Sequence, residues 1–91
     1  MIVIADMGST KTDWSFTNGS TVVKNIQTRG FNPYFYSSEE IIEILNTDFA
    51  GHDLDDVSDL YFYGAGCSNE EKCTSVEQAI KVHFPNTRIE V

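Results

Sequence analysis

Ninety-one residues make at most one small domain, and 41% apolar with 22% charged residues is the composition of a folded globular protein, not of a disordered or membrane-spanning chain. A net charge of −8 at pH 7 excludes a nucleic-acid backbone or an anionic membrane as the main partner. The charge is uneven: residues 1–38 carry two acids and three bases (+1) and residues 39–91 twelve acids and three bases (−9), so a polyphosphate would sit better against the first part.

The chain opens on Met1-Ile2-Val3-Ile4-Ala5, a continuously apolar, β-branched run that predicts a central strand covered on both faces. Asp6 interrupts it too early for a signal peptide, and the cytoplasm is the expected compartment. Asp6-Met7-Gly8-Ser9-Thr10-Lys11-Thr12 follows, a tight turn with one glycine, three hydroxyls, a lysine and a carboxylate at the strand end. Its backbone N–H groups and hydroxyls can donate to phosphate oxygens, Lys11 adds positive charge, and Asp6 can hold a hydrated Mg2+. A plain polar hairpin turn is the alternative. A Walker loop does not fit, because no helix follows: Asp13 to Thr17 alternates around Trp14 and Phe16, and Asn18-Gly19 signals a hairpin.

Thr21 to Gln27 predicts a third strand, weaker and with one polar face. Arg29 to Tyr36 is a loop, in which Asn32 before Pro33 is pushed out of helical geometry and Tyr34, Phe35 and Tyr36 are expected to pack beneath the loop. Ser37-Ser38-Glu39-Glu40 has the form of a capping box, and Ile41, Ile42, Ile44, Leu45 and Phe49 repeat at helical spacing until Gly51. Asp53 to Asp59 is an acidic connection without the spaced ligands of a calcium loop.

Asp59 to Tyr63 predicts a fourth strand, stopped by Gly64-Ala65-Gly66, where small residues allow a ligand or another backbone to approach. Ser68 caps the second predicted helix, whose apolar face is Cys73, Val76, Ala79, Ile80, Val82 and Phe84, and Arg88 to Val91 begins a fifth strand. Cys67 and Cys73 match no zinc or redox spacing and read as ordinary thiols.

The segment Ile4 to Asp13 resembles the first phosphate motif of the N-acetylglucosamine kinase-like family, which includes the activator ATPases of acyl-CoA dehydratases and belongs with sugar kinases, actin and heat-shock chaperone ATPases. The resemblance extends over the whole chain and implies an α/β, ribonuclease H-like (actin-like ATPase) half-domain of β-β-β-α-β-α-β order, with a mixed five-stranded sheet ordered 3-2-1-4-5. It implies ATP and Mg2+ as cofactors, Gly8, Ser9, Thr10, Lys11 and Thr12 as phosphate-binding residues, and Asp6 as the metal carboxylate. Gly30, Asn32 and Pro33 are similar to the family's G-x-N-P loop and Gly64-Ala65-Gly66 to its glycine turn, which makes Asn32, Gly64 and Gly66 candidates for contact with an amino-sugar substrate. The family's acceptor base, second phosphate loop and adenosine pocket would all follow Val91, so no catalytic base is assigned within residues 1–91, and these residues alone are expected to be inactive. An activator-type ATPase and a non-catalytic interaction module remain alternatives, whereas a flavodoxin-like protein is disfavoured because its phosphate loop joins a strand to a helix. With both helices on one sheet face, the opposite face, expected to carry Ile2 or Ile4 beside Trp14 or Phe16, should be hidden by self-association or by the remainder of a longer chain.

Overall fold

Residues 1–64 and 69–91 are described by the structure, a computed structural model. The elements follow the expected order: β1 (Ile2–Met7), β2 (Lys11–Thr17), β3 (Val22–Arg29), α1 (Ser38–Asp48), β4 (Asp59–Gly64), α2 (Glu70–His83) and β5 (Arg88–Glu90). They build one five-stranded sheet in the order β3-β2-β1-β4-β5. β1 pairs antiparallel with β2 and parallel with β4, β2 pairs antiparallel with β3, and β4 pairs parallel with β5.

Local chemistry accounts for the connections. The hairpin between β2 and β3 turns at Asn18-Gly19, where Asn18 Oδ1 accepts from the N–H groups of Ser20 and Thr21 and Gly19 adopts φ 104°, a left-handed value that suits glycine. α1 starts in a complete capping box: Glu40 N–H donates to Ser37 Oγ while Ser37 N–H donates to Glu40 Oε1 at 2.9 Å. For α2 the cap is Asn69, whose Oδ1 accepts from Lys72 N–H at 2.9 Å; the expected cap, Ser68, lies outside the described residues, as do Ala65, Gly66 and Cys67.

Both helices pack on one face of the sheet. Val3, Ala5 and Met7 of β1, Trp14 and Phe16 of β2, Ile26 of β3, and Leu60 and Phe62 of β4 point to that side and join Ile41, Leu45, Val76, Ala79, Ile80 and Phe84 in a single core. Trp14 is its centre, with its ring 5.0 Å from Phe49 and about equally far, 6.2–6.3 Å, from Phe31, Phe62 and Phe84. Its Nε1–H donates to Thr28 Oγ1 at 3.0 Å, so the one polar atom of the ring is satisfied inside the core.

Four expectations need correction here. Trp14 and Phe16 belong to the helix-covered face, because in the β1–β2 register they stand opposite Ala5 and Val3. β1 and β4 are covered on one face and not on two: Ile4 and Tyr63 are 44% and 62% exposed, with Ile2 and Tyr61 half-buried beside them. The rest of the open face is mostly polar, from Asp6, Asp13, Ser15, Asn25 and Gln27, with Val23 exposed at the far end of β3. Tyr34, Phe35 and Tyr36 are all exposed, and Phe31 and Pro33 fill the space beneath the loop instead. Val82 is likewise exposed on α2.

Candidate functional site

β1 extends to Met7 and β2 begins at Lys11, so the turn between them is three residues, Gly8-Ser9-Thr10, and Lys11 and Thr12 are strand residues. Gly8 N–H closes the turn on Lys11 O at 2.8 Å. The next two N–H groups, of Ser9 and Thr10, have no protein acceptor among the described residues. Both side chains are exposed, as is Lys11. Two free donors, two hydroxyls and an ammonium on one short turn form a donor-rich surface that suits an anion.

Strand alternation separates the remaining candidates. Asp6 and Thr12 point to opposite faces, since side chains alternate along β1 and β2 and Asp6 stands opposite Asp13, not Thr12. Asp6 is exposed on the open face. Thr12 is buried on the helix side, and its hydroxyl donates to Arg29 O at 3.3 Å. The Thr12 side chain therefore props the turn from below.

The segment leaving β3 lies against the turn. Gly30 N–H donates to Thr10 O at 2.9 Å, and a Cβ placed on Gly30 would come within 3.1 Å of Ser9 O and 3.2 Å of Gly8 O. Phe31 N–H donates to Met7 Sδ at 3.2 Å, tying the same segment to the end of β1. One step further, Asn32 is half-buried and folds an Asx turn, with Oδ1 accepting from Tyr34 N–H at 2.9 Å. Its amide NH2 remains as a donor. Tyr34 is held in turn by α2, for its hydroxyl accepts from Asn69 Nδ2 at 3.1 Å and Lys72 Nζ stands 5.2 Å from its ring centre.

Gly64 ends β4 opposite Met7, next to the start of the turn. It has to be small: a Cβ there would lie 2.6 Å from Cε1 of Phe62 and 3.2 Å from Met7 Cβ. Gly66, the other glycine proposed for substrate contact, lies outside the described residues. The turn, the Gly30–Pro33 segment and Gly64 thus share the end of the sheet where the parallel strands β1 and β4 terminate, the usual place for ligands in open α/β sheets.

Two residues of this region carry no motif that would reveal them in the sequence. Arg29 donates to Asp48 through its backbone N–H (2.9 Å), Nε (3.1 Å) and Nη2 (3.2 Å), so one carboxylate at the end of α1 grips the end of β3 immediately before Gly30. The hydrogen bonds from Arg29 hold the Asp48 carboxyl below its usual range. Nineteen residues separate the two, and only the packing of α1 against β3 brings them together.

No family model matches the chain, and no curated protein matches it. Among solved structures it is similar to one from Porphyromonas gingivalis described as a "Putative N-acetylglucosamine Kinase", with 36% identity and a TM-score of 0.89. The match covers 100% of this chain and 33% of that one, so the chain spans about a third of the length of that neighbour. Over its full length the chain is N-acetylglucosamine kinase-like, with the 3-2-1-4-5 mixed sheet of the actin-like ATPase fold.

Proposed function

We propose that the chain is the nucleotide-phosphate-binding part of an ATP-dependent kinase that acts on an amino sugar such as N-acetylglucosamine in the cytoplasm. The observation that carries this reading is the Gly8–Thr10 turn, with two N–H groups lacking an acceptor among the described residues and Lys11 beside them, at the end of β1 in a chain similar to a sugar-kinase structure. The residues fit the cofactors. Ser9, Thr10 and Lys11 would hold phosphate oxygens, with Gly8 shaping the turn and Thr12 supporting it, and Asp6 offers an exposed carboxylate that would hold Mg2+ through its water shell. The metal would supply charge neutralisation on the phosphates.

Asn32, through an NH2 that has no acceptor among the described residues, and Gly64 and Gly66, through their small size, are the proposed contacts with the sugar. Phosphoryl transfer requires the nucleophile and both sides of the γ-phosphate to be positioned, and one turn supplies one side. The 91 residues therefore bind Mg-nucleotide weakly and turn nothing over by themselves, the rest of the cleft coming from a further domain. Calorimetric titration with Mg2+ and a series of ATP, ADP, AMP and tripolyphosphate tests the reading. Affinity that rises with the number of phosphates, tripolyphosphate included, supports it; equal affinity for ATP and AMP, or sugar phosphorylation by the 91-residue chain alone, overturns it.

A further inference from the structure

We infer that Gly30 is a positioning residue for the Gly8–Thr10 turn, anchored in turn by Asp48 of α1. This rests on the reading of that turn as the phosphate site. A three-residue turn with a single internal hydrogen bond, Gly8 N–H to Lys11 O, does not by itself fix where the Ser9 and Thr10 N–H groups point. The structure supplies the missing restraint from outside. Gly30 N–H takes Thr10 O, and the bare α-carbon of Gly30 lies so close to the turn that Ser9 O, Gly8 O and the Thr10 carbonyl carbon all fall within 3.1–3.2 Å of where a Cβ would be. The peptide planes whose oxygens face Gly30 are the ones whose N–H groups face away from it, so pressing on those oxygens sets the direction of the donors.

The support behind Gly30 is hydrogen-bonded on several sides. Arg29, the preceding residue, is gripped at every polar backbone atom: its N–H by Asp48 Oδ2, and its O by the hydroxyls of Thr12 (3.3 Å) and Thr28 (3.1 Å). Its guanidinium meets the same Asp48 carboxylate. Restraint therefore runs from α1 through Asp48 and Arg29 to Gly30 and then to the turn.

Two glycines make the test clean because they are needed for opposite reasons. Gly30 has an ordinary φ but no space for a Cβ, whereas Gly19 has φ 104° with nothing within 4 Å of a Cβ. Gly30→Ala and Gly19→Ala should both lower stability, but only the first displaces the turn, since Gly19 lies in the β2–β3 hairpin at the opposite end of β2. With Mg-ATP as the probe, Gly30→Ala should weaken binding roughly tenfold or more, the scale of loss expected when binding groups shift by a fraction of an ångström to one ångström. Gly19→Ala should bind as the native chain does. Should Gly30→Ala fail to fold, Asp48→Ala removes the anchor at a half-buried position outside the core, and it should weaken Mg-ATP binding and shift the amide resonances of Ser9 and Thr10 in the ligand-free chain. Native-like Mg-ATP affinity in Gly30→Ala, or in Asp48→Ala if the former does not fold, overturns the inference while leaving the phosphate site standing. Absence of Mg-ATP binding by the native chain overturns both.

Discussion

Asp6 and Asp13 stand directly opposite each other in the β1–β2 ladder, on the sheet face that the helices leave open. Gln27 Nε2 donates to Asp13 Oδ1 at 2.8 Å, which gives Asp13 a neutral partner, while Asp6 remains exposed. Like charges directly opposite destabilise a strand pair, so Asp6→Asn should raise folding stability by about 0.2–1 kcal/mol. The same substitution should reduce the dependence of ATP binding on Mg2+. Urea unfolding and nucleotide titrations with and without Mg2+ check both signs, and an unchanged response to Mg2+ would remove Asp6 from the metal site.

Trp14 offers a second, purely structural test. Its Nε1–H has Thr28 Oγ1 as partner in a core built of aromatic rings. Thr28→Val keeps the shape and strands the indole N–H, which should lower stability by about 1–3 kcal/mol. Denaturant unfolding followed by Trp14 fluorescence measures it, and a loss well below that range would mean that the indole finds another acceptor.

Much of this architecture is legible in the sequence because short-range chemistry sets it. The Asn18-Gly19 hairpin and the Ser37–Glu40 capping box act within four residues, and the order of strands and helices follows from them. What was illegible depends on which way strands face. In Met1 to Ala5 every residue is apolar, so alternation is invisible, and only pairing with Trp14 and Phe16 decides that Val3 and Ala5 go inward and Ile4 outward. The same alternation separates Asp6 from Thr12, neighbours in the motif but on opposite faces of the sheet. Asp48 was beyond reach for a different reason: its role is defined by a partner nineteen residues away across a helix packing.

Acid should weaken the fold in two separate stages. Burial between the helices holds the His83 imidazole below its usual pKa of 6.5, partly offset by its contact with Ala79 O. The unfolded ring binds a proton more readily than the folded one, so this contribution is complete above about pH 6.5 and is lost as pH falls towards the folded value. Asp48, held low by Arg29, is lost only later, as pH drops below the usual carboxylate value of 3.8. Thermal unfolding from about pH 7 to about pH 5 should therefore show a slope that is reduced in His83→Gln, and equal slopes would contradict the assignment to His83.

The open face makes a prediction about association. Ile4 and Tyr63 are exposed on adjacent paired strands, flanked by Ile2 and Tyr61, on a mostly polar surface. An apolar patch of this kind should bind an environment-sensitive dye or draw copies of the chain together. Ile4→Thr with Tyr63→Thr should abolish the effect with little change in stability, since neither side chain belongs to the core. Sedimentation over a range of concentrations, with dye fluorescence, checks this; a native chain that is monomeric and dye-silent would contradict it.

The central claim is that the Gly8–Thr10 turn holds nucleotide phosphates, and the most direct measurement is amide chemical-shift mapping of the 91-residue chain during titration with Mg-ATP. The account predicts that saturating shifts begin at Ser9, Thr10 and Lys11, spread to Gly30 through its bond to Thr10, and weaken in Lys11→Ala. Shifts confined to a different surface, such as the groove between α2 and β5 around Gln78 and Arg88, or no shift at all, would contradict it.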